Sequence, residues 1–259
     1  MILSENERLD EVNEKLKLIQ KTDGLVFGTD ALLLTAYAEG EAETAVEYGA
    51  GTGIVSLLLA TRKKAKHITA VEVQSEFADL AGRNIELNGL SDKVTAVCAD
   101  VREWRAETPV AMIVSNPPYM KTDSGFSCDK EKKNVARHEV MGDIGEFLAA
   151  AKRNLKYGGA FLAVYRPDRL CDLLDAMRKA EIEPKRMTFV HASAGTESSM
   201  VLVEGKRGGK CGLFLTPPLL LYRDGTHREN SAELNYILEN GSFPPAYSVK
   251  RRKWGSHGK

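Results

Sequence analysis

Short apolar runs alternate with longer amphipathic stretches along most of the chain, starting near residue 44. The apolar runs predict seven strands, at 44–48, 68–73, 94–99, 110–115, 160–165, 186–191 and 200–204. The stretches between them predict helices near 53–62, 75–88, 143–157 and 169–180. Alternation at this spacing is typical of right-handed βαβ units. We therefore expect an α/β fold with a doubly wound, mainly parallel seven-stranded sheet.

The two ends of this pattern differ from its middle. The last two predicted strands follow each other without a helix, so the sheet should have an antiparallel edge. Residues 1–43 precede the first βαβ unit and are expected to form a short N-terminal extension or lid. Residues 241–259 contain two prolines and a basic run, which is typical of a C-terminal tail. The main domain is therefore expected to span 44–240.

Composition and charge exclude several classes of protein. The chain has 259 residues, of which 43% are hydrophobic and 28% charged, so it can bury a sizeable core. Its 36 basic residues balance its 36 acidic ones, so overall charge cannot bind nucleic acid and only a local patch could. The four cysteines lack the short spacing of a metal site or dithiol, and we expect no metal. No apolar run reaches membrane-spanning length, so we expect a cytoplasmic protein without membrane contact.

A glycine-rich turn with Gly49, Gly51 and Gly53 follows the first predicted strand. Glycines let the backbone turn sharply and let a ligand approach the main chain, although such turns also occur for packing alone. The helix after the turn offers free N–H groups to a ligand. The dinucleotide fingerprint fails here, because its sixth position is Ile54 or Ser56 instead of glycine or alanine. The spacing therefore disfavours a nicotinamide dehydrogenase.

Acidic residues lie at or near the ends of the first three predicted strands: Glu47, Glu72 and Asp100. Ligands of open α/β sheets bind beyond the carboxyl ends of the strands, so the three acids should converge on one crevice. Glu72 lies near the roughly 20-residue offset expected for a carboxylate that accepts ribose hydroxyls. Asp100 could accept a hydrogen from an adenine amine. Each acid alone fits a helix cap or surface charge, whereas together they predict a ligand site.

The fourth predicted strand ends in Asn116, Pro117, Pro118 and Tyr119. Two prolines fix φ and remove two N–H donors, which leaves rigid carbonyl acceptors. Asn116 adds a side-chain acceptor, and Tyr119 offers a face for stacking. Two acceptors aimed at one –NH2 group hold both its hydrogens and orient the nitrogen lone pair. This arrangement suits an adenine amine or a side-chain amide, although Asn-Pro pairs are also common turn formers.

These patterns resemble two motifs of a known superfamily over roughly residues 25–205. The acid and glycines resemble the first motif of class I S-adenosylmethionine-dependent methyltransferases, and Asn-Pro-Pro-Tyr resembles the fourth motif of amino-methyltransferases. The resemblance implies a Rossmann-like fold, S-adenosyl-L-methionine as cofactor, and a catalytic group made of Asn116, Pro117, Pro118 and Tyr119. The implied cofactor-binding residues on and after the strands are Glu47, Gly49, Gly51, Gly53, Glu72, Val73, Asp100, Val101 and Asn116.

Three further segments are similar to the bacterial tRNA(Val) adenine-N(6)-methyltransferase family: residues 20–34, 137–139 and 213–225. In that family the first segment folds over the methionine end of the cofactor. The resemblance therefore adds Phe27, Thr29 and Asp30 to the cofactor-binding residues, although Thr29 and Asp30 also fit a helix cap. It implies methylation of the N(6) amine of an adenine in tRNA, at adenosine 37 of tRNA(Val).

Two basic segments are candidates for contact with the RNA, one after the catalytic motif and one at the C-terminus. Their residues are Lys132, Lys133, Arg137, Lys250, Arg251, Arg252 and Lys253. Such segments suit phosphate contacts, but a solvated loop and a solubilising tail have the same composition. The alternatives left open are a ribosomal RNA guanine methylase, a protein-glutamine methylase and a non-catalytic S-adenosylmethionine-binding module. No obligate protein partner is evident from the sequence.

Overall fold

A computed structural model of the chain describes residues 3–22, 27–117 and 144–249. Its strands are β1 (Glu7–Asn13), β2 (Leu16–Lys21), β3 (Ala42–Tyr48), β4 (Ala65–Glu72), β5 (Val94–Cys98), β6 (Val110–Ser115), β7 (Leu155–Tyr165), β8 (Ile182–His191), β9 (Ser198–Arg207), β10 (Phe214–Leu215) and β11 (Leu219–Leu220). Its α-helices are α1 (Thr29–Tyr37), α2 (Ile54–Thr61), α3 (Ser75–Leu87), α4 (Ile144–Asn154), α5 (Leu170–Lys179) and α6 (Ala232–Asn240). Short 3₁₀ turns lie at Pro167–Arg169 and Pro245–Tyr247. None of the helices in the described ranges is long and apolar enough to cross a membrane.

The seven strands β3 to β9 each overlap one of the seven predicted from the apolar runs, and they form the body of one sheet. With the two-residue β10 and β11 the described part of this sheet has nine strands, in the order β10-β8-β9-β7-β6-β3-β4-β5, and β11 also pairs with β8. The pairs among β3 to β7 are parallel, whereas β9 runs antiparallel to both β7 and β8. The predicted doubly wound, mainly parallel sheet with an antiparallel edge is confirmed.

The direction in which strands are added reverses at β3. The chain runs from β3 to β4 and β5 on one side, and then returns to place β6 on the other side. In open α/β sheets such a reversal opens a crevice at the carboxyl ends of the two strands beside it. The topology therefore predicts a ligand crevice where β3 and β6 end, at the glycine-rich turn and at Asn116.

Two hydrophobic clusters cover the two faces of the sheet. Successive side chains of a strand point to opposite faces, and β7 illustrates this. Leu162 belongs to the cluster beneath α1 and α2, whereas its neighbours Phe161 and Ala163 belong to the cluster beneath α4 and α5. Because both faces are buried, the parallel strands read as continuous apolar runs in the sequence.

An N-terminal hairpin was not expected from the apolar pattern. Strands β1 and β2 pair antiparallel within residues 7–21, inside the segment that the sequence assigned to an extension or lid. Leu16 and Leu18 of β2 are fully buried in the cluster that also contains α1 and α2. The hairpin docks on α3 through Asn84, whose Oδ1 accepts from the Ile19 backbone N–H at 2.7 Å while its Nδ2 donates to the Ile19 carbonyl at 3.0 Å.

The last described residues pack on the same cluster. Phe243 lies edge-on to Tyr37 with ring centroids 5.1 Å apart, and Tyr247 lies edge-on to Phe243 at 5.3 Å. Arg186 of β8 is fully buried, stacks 3.8 Å above the Tyr37 ring and pairs with Glu204 at 2.7 Å. The guanidinium also donates to the carbonyl oxygens of Tyr37 and Tyr247. The hydrophobic core thus includes residues on both sides of the 44–240 range.

Candidate active site

The glycine-rich turn after β3 takes a backbone conformation that requires glycine. The φ angles of Gly49, Gly51 and Gly53 are +71°, +54° and +82°. A Cβ built on Gly49 or Gly51 meets no atom of the described structure within 4 Å, so the outer side of the turn is open. A Cβ on Gly53 would lie 3.2 Å from the Cβ of Ala81, which shows that α3 packs against this end of the turn. The turn is therefore a cradle that a side chain would fill.

Glu47 lies beneath the turn and fixes the start of α2. Its buried Oε2 accepts from the backbone N–H of Ser56 at 2.8 Å and from the Ser56 hydroxyl at 2.5 Å. Burial raises the pKa of this carboxyl to about 8, and the charge of nearby Glu72 acts in the same direction. Contact of Glu47 with a ligand's ammonium group stays a prediction.

Glu72 connects the glycine-rich turn to the end of β4. Its Oε2 accepts from the Gly51 N–H at 2.8 Å, and its Oε1 accepts from the Gln74 N–H at 2.9 Å. The side chain is buried, and half-buried Val73 follows it. Because each carboxylate oxygen can accept two hydrogen bonds, Glu72 keeps acceptor capacity for a ligand's hydroxyls.

Asp100 follows β5 at the same edge of the sheet. The Ala99 N–H donates to the carbonyl of Glu72 at 2.9 Å, which holds the ends of β4 and β5 together. The Asp100 carboxylate forms an ion pair with Arg102 at 2.6 Å. Hydrogen bonds from the Arg102 side chain lower the pKa of Asp100. Val101 is buried in the hydrophobic cluster beneath α4 and α5. The structure thus brings Glu47, Glu72 and Asp100 to neighbouring strand ends.

Asn116 lies directly after β6 and contacts a residue that is 86 positions earlier in the chain. Its Nδ2 donates to Oδ2 of Asp30 at 3.0 Å. Its Oδ1 is buried and has no hydrogen-bond partner among the described residues. A buried amide oxygen without a partner is costly, so its presence marks a place where a ligand's donor can bind.

The segment before α1 is fixed at both of its described ends. The Phe27 N–H donates to Oε1 of the fully buried Gln20 at 2.9 Å, and Oδ1 of Asp30 accepts from the Ala31 N–H at 2.8 Å. A Cβ on Gly28 would lie 2.8 Å from Asp30 Oδ1, so a side chain there would displace the carboxylate. Thr29 is the first residue of α1.

Several predicted site residues lie outside the described ranges. Of the catalytic group, Asn116 and Pro117 are described, whereas Pro118 and Tyr119 are not. The candidate RNA contacts Lys132, Lys133, Arg137, Lys250, Arg251, Arg252 and Lys253 are also outside.

Sequence reasoning missed three residues that hold the site in place. Asn84 of α3 donates to the Thr52 carbonyl at 3.0 Å, and so ties the glycine-rich turn to the hairpin. Gln20 holds Phe27, as described above. Asn154 donates to the buried Tyr48 hydroxyl at 2.8 Å at the end of β3. Asn84 and Asn154 were only polar residues within predicted helices, and Gln20 begins the segment 20–34 that resembles the family but had no role assigned to it.

Residues 21–180, which contain most of this site, match the family model described as the methyltransferase small domain. The chain belongs to this family. It is 32% identical over 180 residues to a Phocaeicola vulgatus protein named tRNA1(Val) (adenine(37)-N6)-methyltransferase, covering 69% of this chain and 76% of that protein. A Bacteroides fragilis protein of the same name is 31% identical over 180 residues, covering 68% and 75%. The resemblance to tRNA(Val) adenine-N(6)-methyltransferases is confirmed.

A solved structure supports the fold independently. It is described as a predicted O-methyltransferase from Agrobacterium tumefaciens, and superposes with a TM-score of 0.67 at 21% identity, covering 83% of this chain and 98% of that chain. The Rossmann-like methyltransferase fold is therefore confirmed. Methyltransferases of this family use S-adenosylmethionine, and the crevice fits it. The open cradle at Gly49 and Gly51 and the spare acceptor capacity of Glu72 are the observations that show this fit.

Proposed function

We propose that this methyltransferase transfers a methyl group from S-adenosylmethionine to the exocyclic N6 amine of adenosine 37 in tRNA1(Val). The observation that carries the proposal is the buried Oδ1 of Asn116, which has no partner among the described residues. This oxygen can accept a hydrogen from an amine, and none of the described residues donates to it. The names of the relatives from P. vulgatus and B. fragilis support the choice of adenine in tRNA.

The crevice provides a place for each part of the cofactor. We assign the cradle of Gly49, Gly51 and Gly53 to its methionine and ribose, and the carboxylate of Glu72 to the ribose hydroxyls. Support for this assignment comes from the open outer side of the turn and from the spare acceptors of Glu72. We assign Phe27, Thr29 and Asp30 to the methionine end. The remaining assignments are Glu47 to the ammonium side, and Val73, Asp100 and Val101 to the adenine.

Positioning carries much of the catalysis in this proposal. S-adenosylmethionine supplies an electrophilic methyl group. The lone pair of an adenine amine is shared with the ring, so the nitrogen is a weak nucleophile. Asn116 Oδ1 and the backbone carbonyl beside Pro117 hold its two hydrogens and orient the nitrogen toward the methyl group. Fixing this geometry removes much of the entropic part of the barrier. The proton leaves to water after the transfer.

Recognition of the tRNA is assigned to the local basic segments, because the net charge of the chain is zero. Phosphate contacts require clustered lysine and arginine, which the sequence offers around Lys132, Lys133 and Arg137 and at Lys250–Lys253. A base must leave its stack to reach a pocket at the strand ends, and it then needs another planar surface to stack on. We propose that Tyr119 provides this surface for the adenine.

The experiment that tests the function uses labelled S-adenosylmethionine and three acceptors from cells that lack this protein. The acceptors are total tRNA, ribosomal RNA and cell protein, and each product is digested and analysed. We expect the label in N6-methyladenosine from tRNA. Label in methylguanosine from ribosomal RNA, or in methylglutamine from protein, would contradict the proposal. S-adenosylmethionine binding without transfer to any acceptor would indicate a binding module instead.

A further inference from the structure

We propose that Asp30 is a positioning residue that sets the orientation of the Asn116 side-chain amide, an inference that rests on the proposed function. Asp30 Oδ2 lies 3.0 Å from Asn116 Nδ2. The opposite end of the same amide, Oδ1, is buried and unpartnered among the described residues. Asp30 therefore binds the end of the amide that the reaction does not use and leaves the acceptor end for the target amine.

An amide can be rotated by half a turn without changing its shape, but the two orientations differ chemically. In one orientation –NH2 faces Asp30 and the oxygen faces the target. In the other the oxygen would face the Asp30 carboxylate, where two acceptors repel each other, and –NH2 would face the target's own –NH2. A hydrogen bond to a carboxylate is stronger than one between neutral groups, so it selects the first orientation.

The carboxylate of Asp30 is also held by groups other than Asn116. Its Oδ1 accepts from the Ala31 N–H at 2.8 Å, and this bond orients the carboxylate at the start of α1. A side chain at position 28 would displace the same oxygen, so Gly28 leaves the space that this carboxylate orientation needs. Phe27, just before, is held by the buried Gln20. The partner of Asn116 is therefore rigid, as a group that orients another side chain must be.

A helix cap does not account for this contact. The N-cap of α1 is Gly28 and the helix has no side-chain cap hydrogen bond, whereas Asp30 lies within the first turn and its Oδ1 accepts from the next residue, Ala31. The second oxygen is directed at an amide in another part of the chain, at the end of β6. The two oxygens thus have separate tasks, one within α1 and one across the crevice.

Exchanging the two side chains tests this inference. In D30N the introduced amide can keep the bond from the Ala31 N–H only by turning its –NH2 toward Asn116, which reverses the Asn116 amide. In N116D two carboxylates face each other. In the double variant D30N/N116D the introduced amide donates to the introduced carboxylate, whose second oxygen then faces the target. The double variant thus restores both the contact and the acceptor.

The measured quantities are kcat, KM for tRNA and Kd for S-adenosylmethionine. We expect each single variant to lose at least about tenfold in kcat, and the double variant to regain a large part of that loss. Because Asp30 is also assigned to the methionine end of the cofactor, kcat is measured at S-adenosylmethionine concentrations that saturate each variant, as judged from its own Kd. A double variant no faster than the slower single variant would overturn the proposal. Ser231→Ala is the matched control, because it removes the cap of the distant α6 and should leave kcat unchanged.

A second measurement does not depend on methyl transfer. The side-chain amide protons of Asn116, observed by NMR, should exchange slowly with solvent in the original protein and much faster in Asp30→Ala. Equal exchange rates would show that the contact does not hold the amide, whatever the enzyme methylates. Absence of methylation by the original protein, with protected amide protons, would instead contradict the proposed function alone.

Discussion

Two buried carboxyl groups at neighbouring strand ends have different environments. Glu47 is tied to the start of α2 through Ser56, and burial raises its pKa to about 8. Glu72 accepts from two backbone N–H groups, of Gly51 and Gln74, at the cradle itself. The first group therefore supports the turn from below, and the second belongs to the surface that a cofactor would contact.

We predict that Glu72→Ala weakens the binding of S-adenosylmethionine. The substitution removes the proposed acceptor of the ribose hydroxyls, which should cost about 1–3 kcal/mol of binding free energy. Titration calorimetry measures this change. Glu76→Ala is the matched control, because Glu76 is a nearby glutamate in the first turn of α3 with 65% of its side chain exposed. Equal affinities of the two variants would remove Glu72 from the cofactor site.

A second prediction concerns the pH dependence of stability. The pKa of Glu47 is raised from 4.5 to about 8, so the folded chain keeps a proton that the unfolded chain releases between these values. The free energy of unfolding should therefore fall as pH rises through this window. Glu47→Gln stays neutral and still accepts from Ser56, so it should gain stability relative to the original protein between about pH 5.5 and about pH 8.5. Urea denaturation at both pH values would detect this, and parallel pH profiles would contradict it.

Some residues of the site could be predicted from the sequence, and others could not. Glu72 and Asn116 could be found because each ends a predicted strand, and strand ends meet at one edge of a parallel sheet. The contact of Asp30 with Asn116 could not be found, because it joins two segments that become neighbours only after folding. The family resemblance assigned Asp30 to cofactor binding and to no other role. Its bond to Asn116 is a product of tertiary structure.

Among the elements, the long strands were predicted well and the hairpin was missed. Strands buried on both faces appear as apolar runs, which stand out in a sequence. In the β1–β2 hairpin, β1 is mostly charged, and β2 is a short strand whose apolar residues are interrupted by a lysine and followed by a glutamine. Helix α4 was expected to continue to residue 157 but ends at Asn154, since Leu155 already pairs with Val110 in the sheet. Local periodicity does not reveal where pairing with another strand begins.

Docking of the hairpin gives a prediction with an internal control. Asn84 lies in the last turn of α3 and Asn88 directly follows the helix, and both hydrogen-bond the backbone of β2 with two side-chain atoms. Asn84 is fully buried and also binds Thr52, whereas Asn88 binds Lys17 at an exposed position. Asn84→Ala leaves buried backbone groups unpaired and should lower the free energy of unfolding by about 1–3 kcal/mol. Asn88→Ala should cost clearly less in the same denaturation experiment, and equal losses would contradict this account.

At the scale of the whole molecule, charge has to be considered by location, because the chain is neutral overall. The candidate site lies at the carboxyl edge of the sheet, and the opposite edge has its own basic residues. These are Lys152 and Lys156 around the end of α4, and Arg178 and Lys179 at the end of α5. Four positive charges can therefore be removed either from this edge or from the C-terminal basic segment, and the effects on tRNA binding can be compared.

We predict that replacing Lys250, Arg251, Arg252 and Lys253 by alanine weakens tRNA binding and flattens its salt dependence. Each lost phosphate contact should reduce the slope of log K against log salt by about 0.7–0.9. Cofactor affinity should not change. The control replaces Lys152, Lys156, Arg178 and Lys179, and should leave the slope unchanged. Equal slopes for both quadruple variants and the original protein would assign the RNA contacts elsewhere.

The most direct measurement of the central claim is the single-turnover rate of methyl transfer to unmodified tRNA1(Val) by Asn116→Ala, at saturating S-adenosylmethionine. If Asn116 Oδ1 orients the target amine, the rate should fall by roughly 10²–10³, because a preorganised polar contact to the reacting group is lost. Cofactor affinity should be retained, since the proposed cradle and Glu72 are untouched. A near-normal rate would contradict the account, because the one buried oxygen that carries the proposed function would then have no part in the reaction.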